Sequence, residues 1–301
     1  MSNNLARNRS SQRERAAHTR KAYTNESFEA ALAGLGRKND PGLDSCLPGQ
    51  RAFRALFALG LFNEGLPAAP QAQWGYSVLS AYDPVMSPRW RELVVIAERA
   101  PDNVTQWLLP DSNRERLPGL RLEGCNEDAG RTYVMRHEPT GARLVVTSRA
   151  SGRTDRNVVD RTRWRESLMV GEELTSAERR KLDSIPPMTP EAEVLLAGLV
   201  TRFTLVDPGR EWATDWSADP LRRGGSRRTD PNGLVRGNQR RLWGDGNSWE
   251  LRWSGFPYPQ DLGIALTHPV IGIPGAELHA HRSTYEVTLG DAVLELRDWR
   301  T

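Results

Sequence analysis

The stretch TYEVTLGDAVLEL, residues 284–296, alternates apolar and polar side chains on both sides of a central Gly-Asp pair. Alternate residues of a strand project to the same face of a sheet, so this spacing gathers the apolar side chains on one face. Gly290-Asp291 is a tight-turn sequence that suits a hairpin. The stretch therefore predicts an antiparallel β-hairpin with one apolar and one polar face.

The same alternation occurs in two other parts of the chain. Residues 249–253 read Trp-Glu-Leu-Arg-Trp, again with one apolar face. Residues 132–137 and 142–147 are further strand candidates, separated by Glu-Pro-Thr-Gly at 138–141. Proline second and glycine fourth in that tetrapeptide indicate a type I turn. Antiparallel strands are expected to dominate two parts of the chain, residues 103–149 and 240–300.

Helical signals fill the other segments. The run 50–62 is apolar around most of its circumference, which is typical of a buried helix. Ser87 followed by Pro88 favours a helix that begins at the proline. Thr175 with Glu178 forms a capping box. A shorter helix after a cap at Thr24 or Asn25 and another after Thr189 complete the set.

These elements predict an α+β fold with N-terminal helices and with antiparallel β-rich middle and C-terminal parts, joined by a helical connector. No internal repeat is evident in the sequence. The expected divisions are a basic N-terminal arm at 1–23, a helical then β-rich domain at 24–150, a helical connector at 151–205, and a C-terminal β-rich part at 206–301 with a long basic loop at 217–241.

Composition excludes several classes of protein. Two cysteines among 301 residues cannot form a disulfide framework or a cysteine-rich zinc site. No run of 18 apolar residues could span a membrane, and the first 25 residues hold no apolar run typical of a secretory signal. We therefore expect a cytoplasmic protein without a membrane partner.

Positive charge is concentrated in two short segments. The formal net charge is +3, yet residues 1–21 carry a net +5 and residues 222–241 a net +6, so the remainder is net −8. Arginine accounts for 38 of the 41 basic residues, as in proteins from GC-rich genomes, which makes arginine alone a weak signal. Clustered arginine on an acidic body is nevertheless typical of a surface that binds a polyanion.

These segments are the candidate nucleic-acid-binding site. Arginine and lysine neutralise phosphates, and nearby tryptophans such as Trp243 and Trp249 can stack on unpaired bases. The candidate contacts are Arg13, Arg15, Arg20, Lys21, Arg222, Arg223, Arg227, Arg228, Arg236, Arg240 and Arg241. Arg13-Glu14-Arg15-Ala16-Ala17, followed by Phe28-Glu29-Ala30-Ala31-Leu32, resembles short leaders of mobile-element proteins, a resemblance that implies no activity.

A second candidate is the segment Glu277-Leu278-His279-Ala280-His281. In a strand, Glu277, His279 and His281 would share one face, and this ligand set suits one divalent transition metal. With Pro274-Gly275-Ala276 before it, and Glu286 and Gly290 after it, the segment resembles the first metal-binding motif of the cupins. That resemblance implies a β-barrel metal centre. The spacings of Gly272 and Gly290 depart from the cupin pattern.

The sequence thus favours a non-enzymatic protein that binds nucleic acid or a nucleic-acid–protein complex and needs no cofactor. Two alternatives stay open. One is a metal-dependent enzyme built on Glu277, His279 and His281, in which the metal would activate water. The other is a protein–protein adaptor whose arginines dock on an acidic partner. No phosphate-cradling glycine loop, nucleophile elbow or His-Glu-x-x-His helix is present in the sequence.

Overall fold

The computed structural model describes residues 2–37, 40–63, 84–109, 117–126, 131–152, 173–216, 219–221, 223, 240–253, 255–282 and 284–298. Over these residues the fold is α+β, as predicted. The helices are α1 (Ser2–Thr24), α2 (Phe28–Ala33), α3 (Pro48–Leu61), α4 (Pro101–Leu108), α5 (Ser176–Asp183), α6 (Pro190–Thr201) and α7 (Pro259–Thr267). The strands are β1 (Val85–Pro88), β2 (Glu92–Ile96), β3 (Leu120–Asn126), β4 (Thr132–His137), β5 (Ala142–Thr147), β6 (Arg240–Asp245), β7 (Ser248–Trp253), β8 (Glu277–His281), β9 (Thr284–Leu289) and β10 (Ala292–Asp298). Among the described helices, none has both the length and the apolarity needed to cross a bilayer.

The strands form two five-stranded sheets, and both sheets are mixed. The first sheet has the order β1-β2-β5-β4-β3, and the second has the order β6-β7-β10-β9-β8. In the first, β2 runs parallel to β5, and in the second, β7 runs parallel to β10. All other described pairings are antiparallel. The strands within 103–149 pair antiparallel with one another, and the parallel partner of β5 comes from outside that part, whereas the part 240–300 itself contains a parallel pair.

The two sheets are copies of one topology, which corrects the expectation that the chain has no internal repeat. Each copy runs helix, two strands, helix, three strands, with the same strand order and the same parallel pair. The clearest common feature in sequence lies in α4 and α7, which both begin with proline and bury apolar residues three and seven positions later. Those residues are Val104 and Leu108 in α4 and Leu262 and Leu266 in α7. So short a match is not visible as a repeat.

The two halves join through α3 and α6, which pack against each other. Helix α3 contacts β2 and β5 of its own sheet and β6 of the other, while α6 contacts β9 and β10 and, across the junction, β1. One buried apolar cluster contains Phe57 of α3, Leu199 of α6, Val146 of the first sheet and Leu294 of the second. The core is therefore continuous through both halves, and α6, within the predicted connector 151–205, takes the place in the second half that α3 has in the first.

Most of the predicted elements are confirmed, but the helix expected at Pro88 is wrong. Pro88 ends strand β1, and β2 follows. Residues of β2 are buried on both faces, with Leu93 and Val95 in the main core and Val94 and Ile96 in a second cluster. An apolar run buried on both sides lacks the alternation of a half-exposed strand, so its periodicity does not distinguish it from a buried helix. The hairpin of β9 and β10, the capping box of α5 and the turn between β4 and β5 are as expected.

Arg20, predicted to contact phosphate, is instead a wholly buried structural residue. Its guanidinium binds both carboxylate oxygens of Glu26, with Nε 2.6 Å from Oε2 and Nη2 2.8 Å from Oε1. It also donates to the carbonyl oxygens of Gly34, Pro41 and Pro88. These contacts attach the end of α1 to α2 and to β1, and they remove Arg20 from the predicted phosphate-binding surface.

His137, at the end of β4, is buried as a neutral imidazole. Its Nε2 lies 3.1 Å from the carbonyl oxygen of Pro118, so Nε2 carries the hydrogen, and Nδ1 lies 2.8 Å from the hydroxyl of Thr140. The ring also contacts that of Phe53. Burial disfavours the charged form and lowers the pKa of His137 from 6.5 to about 4. The folded protein therefore holds this histidine neutral at pH values where the unfolded chain protonates it.

We expect His137 to make the fold acid-sensitive. Because its folded pKa is below the unfolded value, its contribution is complete above pH 6.5 and is lost as the pH falls towards 4. The loss is about 3 kcal/mol over that range, from 1.36 kcal/mol per pKa unit. Urea unfolding of the H137Q variant, which cannot titrate, should show a shallower dependence on pH than the wild type between these limits. Identical slopes would contradict the assignment.

The buried ion pair of Arg20 gives a second prediction. The R20A variant leaves Glu26 buried without its counter-charge, and we expect the free energy of unfolding to fall by about 3–5 kcal/mol. The matched control is R13A on the same helix, where the side chain is exposed and the expected change is within about 0.5 kcal/mol. Denaturant unfolding followed by circular dichroism measures both. A small effect of R20A would mean that Glu26 finds another partner.

Candidate functional site

The N-terminal arm forms a single helix, α1, that is fixed to the body at its C-terminal end. Ala17, Arg20 and Thr24 lie on one stripe of the helix and are buried. Arg13 and Arg15, nearer the N-terminus, are exposed, and so is Lys21. The attachment leaves the guanidinium groups of Arg13 and Arg15 accessible to an anion on a helix whose base is held in place.

A groove of about 670 Å³ separates the end of α1 from the segment that leads into the basic loop. Ala22 and Asn25 line its α1 side, and Pro220 and Leu221 line the side where the loop 217–241 begins. The other lining residues belong to the turn that includes Arg210, and they are Val206, Asp207 and Pro208. Residues next to each of the two basic segments, about 200 positions apart in the chain, therefore line one groove.

The walls of this groove are held by hydrogen bonds and aromatic contacts. The backbone N–H of Val206 donates to the carbonyl oxygen of Tyr23 at 2.9 Å, and the Asn25 amide donates to the carbonyl oxygen of Thr204 at 3.4 Å. Beneath them the rings of Tyr23, Trp212 and His268 contact one another, with centroids 5.1–6.3 Å apart. The base of the arm is thus positioned by residues of the second half.

Of the predicted loop arginines, three are described, and each has protein partners. Arg223 pairs with Asp261 of α7 and with Asp219, and it lies over the ring of Tyr258. Its hydrogen bond to Asp261 raises the pKa of Arg223 above its usual value. Arg240 is buried over Trp216, and Arg241 lies 4.4 Å from the ring centroid of Trp243. Arg222, Arg227, Arg228 and Arg236 lie outside the described residues.

The outer face of the second sheet is charged but balanced. Its register aligns one row of mainly basic residues beside a row rich in glutamate. The first row is Arg241, Arg252, Arg297, Thr284 and His281, and the second is Trp243, Glu250, Glu295, Glu286 and His279. Arg252 binds Glu250 and Arg297 binds Glu295, so these arginines are neutralised by their neighbours. Trp249 points the other way, into the core.

Strand β8 carries the candidate metal ligands on one face, as predicted, but does not gather them. His279 Nε2 lies 3.8 Å from a carboxylate oxygen of Glu277, and His281 Nε2 lies 3.5 Å from one of Glu286. Within the described ranges, no three histidine, cysteine, aspartate or glutamate side chains form a group that could hold a metal ion. The barrel that the cupin resemblance implies is also absent there, because β8 is the edge of an open sheet.

Two buried arginines that hold loops in place were not expected from the sequence. Arg202 binds Asp44 with both terminal nitrogens, at 2.8 and 2.7 Å, and donates to the carbonyl oxygen of Ile271. Arg54 donates to the carbonyl oxygens of Leu43, Arg89 and Glu92. No sequence signal marks either one, since an arginine that binds backbone carbonyls looks like any other. Only some of the arginines of the chain can therefore belong to the candidate binding surface.

The geometry leaves the exposed N-terminal part of α1, with the groove at its other end, as the strongest candidate for a binding surface. Its chemistry is that of accessible guanidinium groups on an anchored helix, next to a loop rich in arginine. Any assignment of function has to come from such features of the chain itself. No protein-family model, no curated protein and no solved structure matches it.

Proposed function

We propose that the protein is a non-enzymatic binding protein for nucleic acid, which it engages by its phosphates. The observation that carries this proposal is the groove lined by Ala22 and Asn25, next to the end of the first basic segment, and by Pro220 and Leu221, just before the second. In the proposal, Arg13, Arg15 and Lys21 of the first segment contact phosphates, and so do Arg222, Arg227, Arg228 and Arg236 of the second. Two arginine-rich segments together can follow a charged backbone over a longer path than either segment alone.

The charge of the rest of the chain supports binding of a polyanion at these two segments. Outside residues 1–21 and 222–241 the net charge is −8, so a polyanion is repelled from most of the surface and drawn to these two segments. The anchored base of α1 adds pre-organisation, because ordering a free arm on binding would cost conformational entropy. In this proposal the partner is nucleic acid or its complex with protein.

We infer that the protein works in the cytoplasm. Cys46 and Cys125 are both buried and are thiols instead of a disulfide, which suits a reducing compartment. The resemblance of the arm to leaders of mobile-element proteins is the ground for proposing a mobile-element origin, and it adds nothing to the proposed activity. Neither inference requires a cofactor.

Charge removal on each side of the groove should weaken binding and reduce its salt dependence. We expect R13A/R15A/K21A and R227A/R228A/R236A each to lower affinity by about tenfold or more at low salt. For every phosphate that the variant no longer neutralises, the slope of log K against log salt should also fall by about 0.9 on a DNA duplex and by about 0.7 on a single strand. Fluorescence anisotropy with a labelled DNA duplex, a labelled single strand and a labelled RNA, each over a salt series, measures affinity and slope together.

Two control variants separate a specific surface from general charge. R179A/R180A removes two exposed arginines of α5, outside the groove, and should leave the slope unchanged. R13K/R15K keeps the charge and should retain most of the affinity. If the wild type binds none of the three nucleic acids at low salt, or if both triple variants bind as the wild type does, the proposal is overturned, and an acidic protein becomes the expected partner of the arginines.

A further inference from the structure

The internal repeat allows the edges of the two sheets to be compared, because β3 and β8 are equivalent edge strands. Strand β3 is protected: its register shifts between Leu122 and Gly124, which marks a β-bulge. Helix α5 also contacts it through one ion pair, between Arg121 and Glu178 at 2.8 Å. Bulges and covering elements are the ordinary means by which proteins block an edge strand from pairing with another chain.

The two other edges are covered as well. At β6, the side-chain amide of Asn63 donates to the carbonyl oxygen of Leu242 at 2.8 Å, and its oxygen accepts from the Leu242 N–H at 3.1 Å, so that one amide satisfies both backbone groups. Strand β1 is contacted by α1 and α6, and the carbonyl oxygen of Pro88 at its end accepts from Arg20. In the described part of the molecule, three of the four sheet edges thus carry a bulge or contacts to side chains or helices that interrupt their row of free backbone groups.

Strand β8 is the exception. Four of its five residues are exposed, and among the described strands it pairs only with β9. Its register with β9 is regular from Glu277 to His281, without the bulge found in β3. It contains no proline or lysine, the residues that commonly protect an edge. The outer edge of β8 therefore presents a regular row of backbone N–H and C=O groups.

The sequence of β8 is complementary to itself. When two copies of Glu-Leu-His-Ala-His run antiparallel with their His279 residues opposite each other, Glu277 of each faces His281 of the other. The pairing places two carboxylate–imidazole pairs on the outer face, and directly opposed side chains of this kind stabilise a sheet. On the inner face, Leu278 lies opposite the small Ala280 of the second copy.

We propose that β8 pairs with β8 of a second copy of this chain, so that two five-stranded sheets become one sheet of ten strands across a two-fold axis. Near that axis each chain presents Glu277, His279 and His281 of β8 and Glu286 of β9, and the exposed Arg282 directly follows β8. Glu286 lies opposite His279 in register and 3.5 Å from His281, so each chain supplies a carboxylate to its own histidines as well as to those of the other. This inference does not depend on the proposed function.

Charge-exchange variants test the pairing and its register. Sedimentation equilibrium on nuclease-treated, high-salt-washed protein should show wild type moving with concentration towards twice the chain mass of 33.7 kDa. E277K places a lysine opposite His281, and H281E places two carboxylates opposite each other, so each variant alone should dimerise about tenfold more weakly. An equimolar mixture of the two variants restores both opposite-charge pairs, and it should associate as well as wild type, as should the double variant E277K/H281E.

The control is E138K, which reverses an exposed carboxylate in the turn between β4 and β5 and should dimerise as wild type does. Far-ultraviolet circular dichroism establishes that every variant is folded. A wild type that stays monomeric at all concentrations overturns the proposal. So does a dimer that neither single variant weakens, which places the interface elsewhere, and so does a mixture that associates no better than the single variants, which rules out this register.

Discussion

The contact between α3 and α6 is the constraint on which the rest of the fold depends. Each helix is buried along most of its length, and neither sheet alone can cover it. Each helix therefore packs on its own sheet and on the other helix, and touches the first strand of the other sheet. Burial of apolar surface is the main stabilising term in folding, so the two copies of the repeat share one core instead of forming two domains.

Arginines inside the protein fix what the apolar core leaves undetermined. Arg20, Arg54 and Arg202 are buried, and each binds backbone carbonyl oxygens of irregular segments. By sequence, Arg13, Arg15, Lys21, Arg20 and Arg240 are equally good candidates for accessible cations. The first three are exposed, but Arg20 and Arg240 are buried. Nothing local in the chain separates the two groups, because burial of an arginine depends on carbonyl groups and carboxylates brought by distant segments. For the candidate site, the sequence therefore predicts which segments are basic, but not which of their arginines and lysines are exposed.

Local sequence patterns predict those helices and strands of the fold that local interactions determine. Hairpins with a half-exposed face, such as β9 and β10, follow from alternation and turn residues alone. Strand β2 reads as a helix because both its faces are buried, and its periodicity is lost. The repeat escapes detection in the sequence for a related reason. The outer face of the first sheet is apolar, with Val94 and Val145, while that of the second is charged, with Glu250 and Glu295. The two copies thus differ in sequence wherever their outer faces differ.

The hydrogen bonds at the base of α1 have a consequence for the order of events during synthesis. The partners of Arg20 at that base lie no later in the chain than Pro88, but the other partners of the base come from residues 204 and 206. A ribosome adds residues from the N-terminus, so the arm emerges long before residues 204 and 206 exist. The contacts of its base are therefore complete only when about two thirds of the chain has been made. Helix α6 is also made late, so the apolar side of α3 has no partner helix until then. A nascent chain that stops between the two copies of the repeat would therefore expose that surface to chaperones.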